Sequence, residues 1–259
     1  ESEAYDMILF KIRMNLIEPC TDLTTEVMKA ISGQNLEIRN GDILALASKA
    51  VAISEKRIKK PVTVRPSKKA EKIAARFDLD PRLVDVVLRE ADCVIWGVQR
   101  TLLTEKNDIL IPNAGVDQKN APKGYVVLWP TNPDREAKEI RNKIYEKTGK
   151  HIGVLIVDSR VTPLRMGTTG IAIGLAGFEP IRDYRTEKDL YGKSILVTTH
   201  AVADDLASAA HLMMGESSEQ TPAVLIRNAP VTLAEADGSS LVIAREQCLY
   251  ASHFEPESL

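Results

Sequence analysis

Apolar runs of strand length alternate along this chain with amphipathic stretches of helical periodicity. Short runs rich in Val, Ile and Leu, bounded by turn-forming residues, are typical of buried strands. Such strands are predicted at residues 43–47, 109–111, 125–128, 152–157, 195–199, 223–226 and 241–244. Because strands and helices alternate without a recognisable repeat, the pattern predicts a mixed α and β protein.

Two helices are predicted from their N-terminal signals. Ser67 is a suitable N-cap for a helix over residues 68–77. Asp80 followed by Pro81 is typical of an N-cap and first helical position, and it predicts a helix over residues 82–90.

Two longer helices are predicted in the second half of the chain. Asp134 is expected to cap residues 135–148, and residues 201–214 form an Ala- and Leu-rich segment that ends at Gly215. Glu216 then lies just beyond a helix C-terminus, where the partial negative charge of the helix attracts cations.

Glycines cluster in residues 167–177, at positions 167, 170, 174 and 177. The segment lacks the Gly-Lys-Ser/Thr ending of a phosphate-binding loop and the Gly-x-Gly-x-x-Gly pattern of dinucleotide folds. Glycine permits close approach of another backbone. We therefore expect either tight packing between elements here or a backbone that lies against a ligand.

Composition places the chain among ordinary globular proteins. It has 259 residues, of which 44% are hydrophobic and 27% charged. This length predicts a single domain over residues 1–259, with room for two subdomains.

The charge and the cysteine content limit which kinds of partner and which cellular compartment fit this chain. The formal net charge of −2 argues against a nucleic-acid partner, and the basic stretch 56–72 is expected to be a solvated surface. No apolar run approaches the ~20 residues of a membrane span, so no membrane partner is expected. Cys20, Cys93 and Cys248 stand alone, which argues against a disulfide framework or a thiolate zinc site and favours the cytoplasm.

Three acids follow predicted elements at points where ligands commonly bind. Asp158 closes the run 152–157 and is followed by Ser159, and Asp117 and Glu216 also come just after regular elements. Carboxylate and hydroxyl oxygens suit magnesium or manganese better than zinc. Each acid alone also fits a capping or turn role, so a metal site requires that the three converge.

Several polar residues accompany these acids. Asn120 adds an amide near Asp117, and Lys49 follows Ser48 at the end of a predicted strand. Solvated positions are the alternative interpretation for Lys49 and for the arginines around the glycine cluster, Arg165, Arg182 and Arg185. The histidines lack metal-site spacing and are expected to be structural: His151, His200, His211 and His253.

Taken together, several segments of this chain resemble those of the gamma-glutamyl ligases of the deazaflavin coenzyme F420, enzymes that add glutamate to coenzyme F420-0. The segments that carry the resemblance are 113–117 with Asn120, 153–158, 167–177, 189–192 with 197–198, and 201–204 running to 214–216. The resemblance implies an unusual α+β ligase fold, with mixed sheets and packed helices, in an intertwined homodimer. It also implies GTP as a substrate, two divalent cations, magnesium or manganese, and leaves open a role for potassium.

The resemblance also implies site residues. The metal ligands would be Asp117, Asp158, Ser159 and Glu216. The nucleotide would be lined by Arg13, Met14, Asn15, Leu16, Ser48, Lys49, Asn120, Met214, Gly215, Glu216, Ser217, Ser218, Glu219, Gln220 and Thr221.

The implied chemistry is transfer of the γ-phosphoryl group of GTP to a carboxylate, giving an acyl phosphate that the amine of L-glutamate attacks. Positioning and charge stabilisation supply most of the rate enhancement in such reactions. No side-chain nucleophile is needed, and Arg165 is the one candidate for a catalytic side chain.

Two segments depart from the family's usual pattern. Ile53 stands where the family has a nucleotide-contacting lysine, so Lys49 or Lys56 would have to supply that charge. Residues 160–162 replace an aromatic residue and a glycine in a loop expected to border the acceptor. A ligase of the same chemistry with another carboxylate acceptor, and a nucleotide-binding paralogue without turnover, therefore remain open. A metal-dependent phosphohydrolase is less well supported because no base is positioned for it.

Overall fold

The structure is a computed structural model that describes residues 6–253. It contains both helices and strands, as predicted. The helices are α1 Leu23–Gly33, α2 Ser48–Ser54, α3 Lys68–Phe77, α4 Pro81–Glu90, α5 Pro133–Thr148 and α6 Val202–Met214. The strands are β1 Ile8–Ile12, β2 Ile43–Ala47, β3 Ile58–Lys59, β4 Cys93–Val98, β5 Thr101–Lys106, β6 Ile109–Pro112, β7 Val126–Val127, β8 Gly153–Val161, β9 Thr168–Phe178, β10 Arg182–Asp183, β11 Thr199–His200, β12 Ala223–Arg227 and β13 Leu233–Asp237.

A six-stranded mixed sheet organises the fold, in the order β1-β12-β2-β8-β9-β13. β2 and β8 are parallel, and the other neighbours are antiparallel. Its two central strands are apolar on both faces because helices cover both sides of the sheet. Along β2, Leu44 and Leu46 pack with α1 and α5, whereas Ile43 and Ala45 pack with α6.

The part of the chain between α2 and α5 forms a smaller unit of structure. Strands β4, β5 and β6 form an antiparallel meander, and α3 and α4 share a hydrophobic cluster with it. β3 pairs with β7, which in turn forms a bridge with Asp117. This unit therefore brings Asp117 toward the large sheet.

The glycine cluster is confirmed as a packing element. Residues 168–178 form β9, a long strand that lies between β8 and β13 in the large sheet. A Cβ at Gly170 would stand 2.3 Å from the carbonyl oxygen of Ala207 in α6, and one at Gly174 would stand 2.4 Å from the Cβ of Pro133 in α5. The glycines thus let helices on both faces approach the strand closely.

Most predicted elements are confirmed within a few residues, but two predicted strands are wrong. Of residues 195–199, only Thr199 lies in a strand, and residues 241–244 contain the end of a short 3-10 helix and an irregular segment. Both apolar runs are largely exposed, including Val197 and Ile243, so their hydrophobicity does not reflect burial in a sheet.

The predicted N-cap of α5 is also wrong. The helix begins two residues earlier, at Pro133, and Asn132 caps it by accepting a 3.0 Å hydrogen bond from the N–H of Arg135. Asp134 instead accepts hydrogen bonds from the N–H groups of Leu175 and Gly238, at 2.8 and 2.9 Å. Proline at the first helical position, which needs no N–H donor, explains the shift.

Among residues 6–253, no helix has both the length and the hydrophobicity to span a membrane. Most of the basic stretch 56–72 is solvent-exposed, including Lys59, Lys60 and Lys69, as expected.

Candidate active site

Asp158 was predicted to end its strand, but β8 continues three residues further, to Val161; Asp158 instead follows the buried part of β8, which lies between β2 and β9. Its carboxylate accepts hydrogen bonds from the N–H of Ser159, at 2.7 Å, and from the hydroxyl of Ser48. Burial raises the pKa of Asp158 to about 6, and the nearby Asp117 adds to this, against the lowering effect of these hydrogen bonds and of Lys49. The site therefore holds a carboxylate whose charge is poorly compensated.

A tight turn at residues 113–115 closes one side of Asp158. Gly115 has a φ of +71°, and a Cβ there would stand 2.4 Å from the ring of Trp129 and 3.6 Å from Asp158 Oδ2. A side chain at this position would be both strained and blocked. Glycine thus allows the turn to approach Trp129 and Asp158.

Asp117 follows this turn. Its backbone pairs with Val127 in both directions, at 3.0 and 2.8 Å. Its carboxylate accepts hydrogen bonds from the ammonium of Lys49 and from the N–H of Lys119, both at 2.7 Å. Since Lys49 also acts electrostatically on Asp158, one ammonium serves two carboxylates.

Glu216 follows Gly215, which ends α6. One carboxylate oxygen lies 2.6 Å from the hydroxyl of Thr168 and 2.9 Å from Nε2 of His211. The other accepts a 3.0 Å hydrogen bond from the ammonium of Lys119. Burial raises the pKa of Glu216, but these three hydrogen bonds outweigh it and lower the pKa to about 2.

Lys119 links two of the three acids, Asp117 and Glu216. Its backbone N–H contacts Asp117 and its ammonium contacts Glu216, although the two acids lie 99 positions apart in the numbering of the chain. The convergence that the metal hypothesis requires is therefore supported in part.

The metal-ligand set itself stays a prediction. Within residues 6–253, no three His, Cys, Asp or Glu side chains meet as closely as metal ligands do. The donors nonetheless fit a hard cation, because Asp117, Asp158, Glu216 and Ser159 offer oxygen atoms alone. The ammonium groups of Lys49 and Lys119 lie against two of these carboxylates, in the role that a cation would take.

The predicted nucleotide-binding segments lie beside the acids. The side-chain amide of Asn120 donates a 2.6 Å hydrogen bond to the carbonyl of Ser217. The N–H of Met14 donates a 3.1 Å hydrogen bond to the carbonyl of Gln220. Residues 13–16, which follow β1, are therefore close to residues 215–221, which join α6 to β12.

The remaining predicted site residues fall in the same segments or in exposed loops. Ser48 is buried at the start of α2, Leu16 is largely exposed, and Met214 is the last residue of α6. Arg165 lies in the exposed loop between β8 and β9. The other residues predicted to line the nucleotide lie in segments 13–16 and 215–221: Arg13, Asn15, Gly215, Ser218, Glu219 and Thr221.

Three contacts at the site were not predicted from the sequence: those of Lys119, Thr168 and His211 with Glu216. His211 was expected to be structural, yet its imidazole touches a predicted metal ligand. Its position in the last turn of the predicted helix, five residues before Glu216, is a signal that could have identified it.

Ile53 does not contribute a charged or polar group. It is buried in a small cluster with Ala52 and Val127. Of the two lysines considered as replacements for the family lysine, Lys49 contacts Asp117, whereas Lys56 lies exposed after α2. Lys49 is therefore the better placed of the two.

A comparison with protein families identifies the chain's relatives. The model of the family described as F420-0:Gamma-glutamyl ligase matches residues 11–228. The chain belongs to this ligase family. The match includes every residue predicted to bind metal or nucleotide, from Arg13 to Thr221.

Individual members of the ligase family are similar over most of their length. The coenzyme F420:L-glutamate ligase of Methanopyrus kandleri is 39% identical over 206 residues, covering 79% of this chain and 82% of that protein. The protein of the same name from Methanocaldococcus jannaschii is 38% identical over 82% of this chain and 86% of its own. A Methanococcus maripaludis ligase is 35% identical over 96% of this chain and 98% of its own.

Proposed function

We propose that this protein adds L-glutamate to a carboxylate of coenzyme F420-0, using GTP and two divalent cations, magnesium or manganese. The observation that carries the proposal is a pair of lysine contacts beside the segments expected to hold the nucleotide: Lys49 acts on both Asp117 and Asp158, and Lys119 contacts both Asp117 and Glu216. Family membership and the names of the relatives support the choice of glutamate and an F420 acceptor.

The proposed reaction forms an amide from two components that do not react directly. A carboxylate is a poor acylating agent, so the acceptor carboxylate first takes the γ-phosphoryl group of GTP and releases GDP. The amine of glutamate then attacks the acyl carbon, the C–N bond forms, and phosphate leaves. Divalent cations at the carboxylates would screen the phosphate charges.

In this scheme, the residues of the chain bind and orient the substrates. Lys49 and Lys119 carry positive charge to the edge of the site where anionic phosphates would lie. The segments 13–16 and 215–221, linked through Met14 and Gln220, would hold the nucleotide. Since positioning and charge stabilisation carry this chemistry, the site requires no nucleophilic side chain.

The direct test is incubation of the protein with coenzyme F420-0, L-glutamate, GTP and manganese, followed by mass spectrometry. A mass gain of one glutamate residue, with formation of GDP, is expected. ATP in place of GTP, omission of manganese, and addition of potassium test each cofactor separately.

Two variants separate the site from the fold. Asp158→Asn is expected to abolish metal-dependent turnover while the protein remains folded. Asp85→Asn changes a buried acid of α4, which pairs with Arg89 away from these residues, and is expected to lose stability but retain turnover. Full activity of Asp158→Asn would end the metal-site hypothesis.

A ligase of the same chemistry with a different acceptor is the second candidate. It is favoured by residues 160–162, which depart from the family's usual pattern in the segment expected to border the acceptor. GTP hydrolysis without glutamate addition to coenzyme F420-0 would favour this candidate. GTP binding without hydrolysis or glutamate addition would instead indicate a nucleotide-binding paralogue without turnover.

A further inference from the structure

Arg160 lies in β8, two residues beyond Asp158, so their Cα atoms are about 7 Å apart along the strand. Its side chain is 35% exposed, and its Nε atom is buried without a hydrogen-bond partner among the described residues. A guanidinium group has five N–H donors, and leaving a buried donor unpaired is costly. Arg160 thus has unused hydrogen-bonding capacity beside the candidate site.

Asp204, the acid beside Arg160, does not accept a hydrogen bond from its guanidinium group. A terminal nitrogen of Arg160 lies 3.9 Å from Asp204 Oδ2, which is too long for a hydrogen bond. The other oxygen of Asp204 already accepts a 3.0 Å hydrogen bond from the N–H of Ala172. Asp204 therefore balances the charge of Arg160 at a distance and leaves its donors available.

The other cations of the site differ from Arg160 in this respect. Lys49 contacts Asp117 at 2.7 Å, and Lys119 contacts Glu216 at 3.0 Å. An anionic substrate that approaches Asp158 would meet repulsion from the site carboxylates unless a cation compensates it. Of these three cations, Arg160 is the one with a buried donor that has no hydrogen-bond partner among the described residues.

We propose that Arg160 binds a carboxylate of one of the two substrates that are to be joined, L-glutamate or the acceptor. This inference rests on the proposed function. A guanidinium recognises a carboxylate through two parallel N–H···O bonds, which fix its orientation as well as its charge. The neighbouring Asp204 offers a partner for an ammonium group, and an α-amino acid carries both charges, so L-glutamate fits the pair better than the acceptor does.

The kinetic test compares Arg160→Gln and Arg160→Lys with Arg135→Gln, which removes an exposed arginine of α5 that pairs with Glu139. In Arg160→Gln, the KM for one carboxylate substrate is expected to rise about 10- to 100-fold, with the KM for GTP unchanged. Arg160→Lys keeps the charge but not the planar geometry, so a smaller rise is expected. Circular dichroism and thermal melting check that each variant is folded.

The pattern of KM values identifies the ligand. A rise for L-glutamate alone assigns its carboxylate to Arg160, and a rise for the acceptor alone assigns the acceptor's carboxylate; either result supports the inference. If Arg160→Gln behaves like Arg135→Gln, or if only the KM for GTP changes, the inference is overturned.

A binding experiment separates this inference from the proposed function. Should the wild-type protein show no ligation, calorimetry with L-glutamate, glutarate and 4-aminobutyrate tests Arg160 without turnover. Glutarate lacks the amine and 4-aminobutyrate lacks the α-carboxylate. A parallel titration with coenzyme F420-0 tests the acceptor. Weaker binding of L-glutamate or of coenzyme F420-0 by Arg160→Gln than by wild type supports the inference, and equal binding of both ligands by the two proteins, including no binding, overturns it.

Discussion

Replacing Asp158 by asparagine is expected to stabilise the protein in the absence of divalent cations. The pKa of Asp158 is raised by burial from its ordinary value of 3.8 to about 6. A carboxyl group with a raised pKa binds protons more tightly in the folded state than in the unfolded state, so stability falls as the pH rises between these values. The penalty is absent below about pH 3.8 and complete above about pH 6.

The size of the effect follows from the same pKa. A rise from 3.8 to about 6 corresponds to a penalty of about 3 kcal/mol for the ionised folded state. Asparagine removes the charge, and its side-chain oxygen can still accept the hydrogen bonds from Ser48 and Ser159. For a chain of this length, 3 kcal/mol would raise the melting temperature by about 6–12 °C, which is an upper limit because Asp158 keeps some contact with solvent.

Thermal melting at pH 8 and pH 5, with EDTA or with manganese, tests this reasoning. With EDTA at pH 8, Asp158→Asn should melt above wild type, with a smaller difference at pH 5. Manganese should raise the melting temperature of wild type but not of the variant, because binding to the folded state alone stabilises it.

Asp85→Asn provides the matched control. Burial raises the pKa of Asp85, but hydrogen bonds from Ser67 and Arg89 lower it overall, so loss of this charge should destabilise the protein at pH 8. If Asp158→Asn were destabilised like Asp85→Asn at pH 8, Asp158 would be a structural ion-pair partner and the reasoning would be refuted.

Three further predictions concern other parts of the molecule. Glu216→Gln should lower the free energy of unfolding by about 1 kcal/mol at pH 7, because the pKa of Glu216 is lowered to about 2. The effect is kept this small because the side chain is partly exposed. Denaturant titration should show the effect fade as the pH falls below 4.5. Gly174→Ala should destabilise by about 1–3 kcal/mol because its Cβ would meet Pro133, whereas Gly33→Ala, with nothing within 4 Å, should have little effect in the same titration. Light scattering should show a dimer. Replacing the exposed Leu190 and Tyr191 by serine should weaken this dimer more than the control Val62→Ser does. An unchanged dimer would exclude this part of residues 182–200 from the interface.

Local signals account for the part of the fold that was predicted. The helix at residues 68–77 and the strand at residues 43–47 each combine a clear period with recognisable boundaries, and both are confirmed. β9 was described only as a glycine cluster, because its glycines serve helix contacts on both faces that no local pattern reveals. The strand predicted at residues 195–199 is wrong for the opposite reason: the segment is apolar but exposed, and hydrophobicity alone does not show whether other elements cover a segment.

The same distinction applies to the site. Asp158 was identifiable because an acid at the end of an apolar strand is a local pattern. Lys119 and Arg160 were not assigned contacts, because their partners Glu216 and Asp204 are distant in the chain and depend on how α6 packs on the sheet. Side-chain contacts across elements follow from tertiary packing, which the sequence pattern constrains only weakly.

The opposite pKa changes of Asp158 and Glu216 indicate that the two halves of the site differ in their need for a cation. The charge of Glu216 is already balanced by Lys119 and by hydrogen bonds from Thr168 and His211, so a divalent cation there would have to replace existing contacts. Asp158 shares the ammonium of Lys49 with Asp117 and remains poorly compensated. Since a ligand stabilises most where the unliganded charge is least satisfied, we expect Asp158 to contribute more to divalent-cation affinity than Glu216 does.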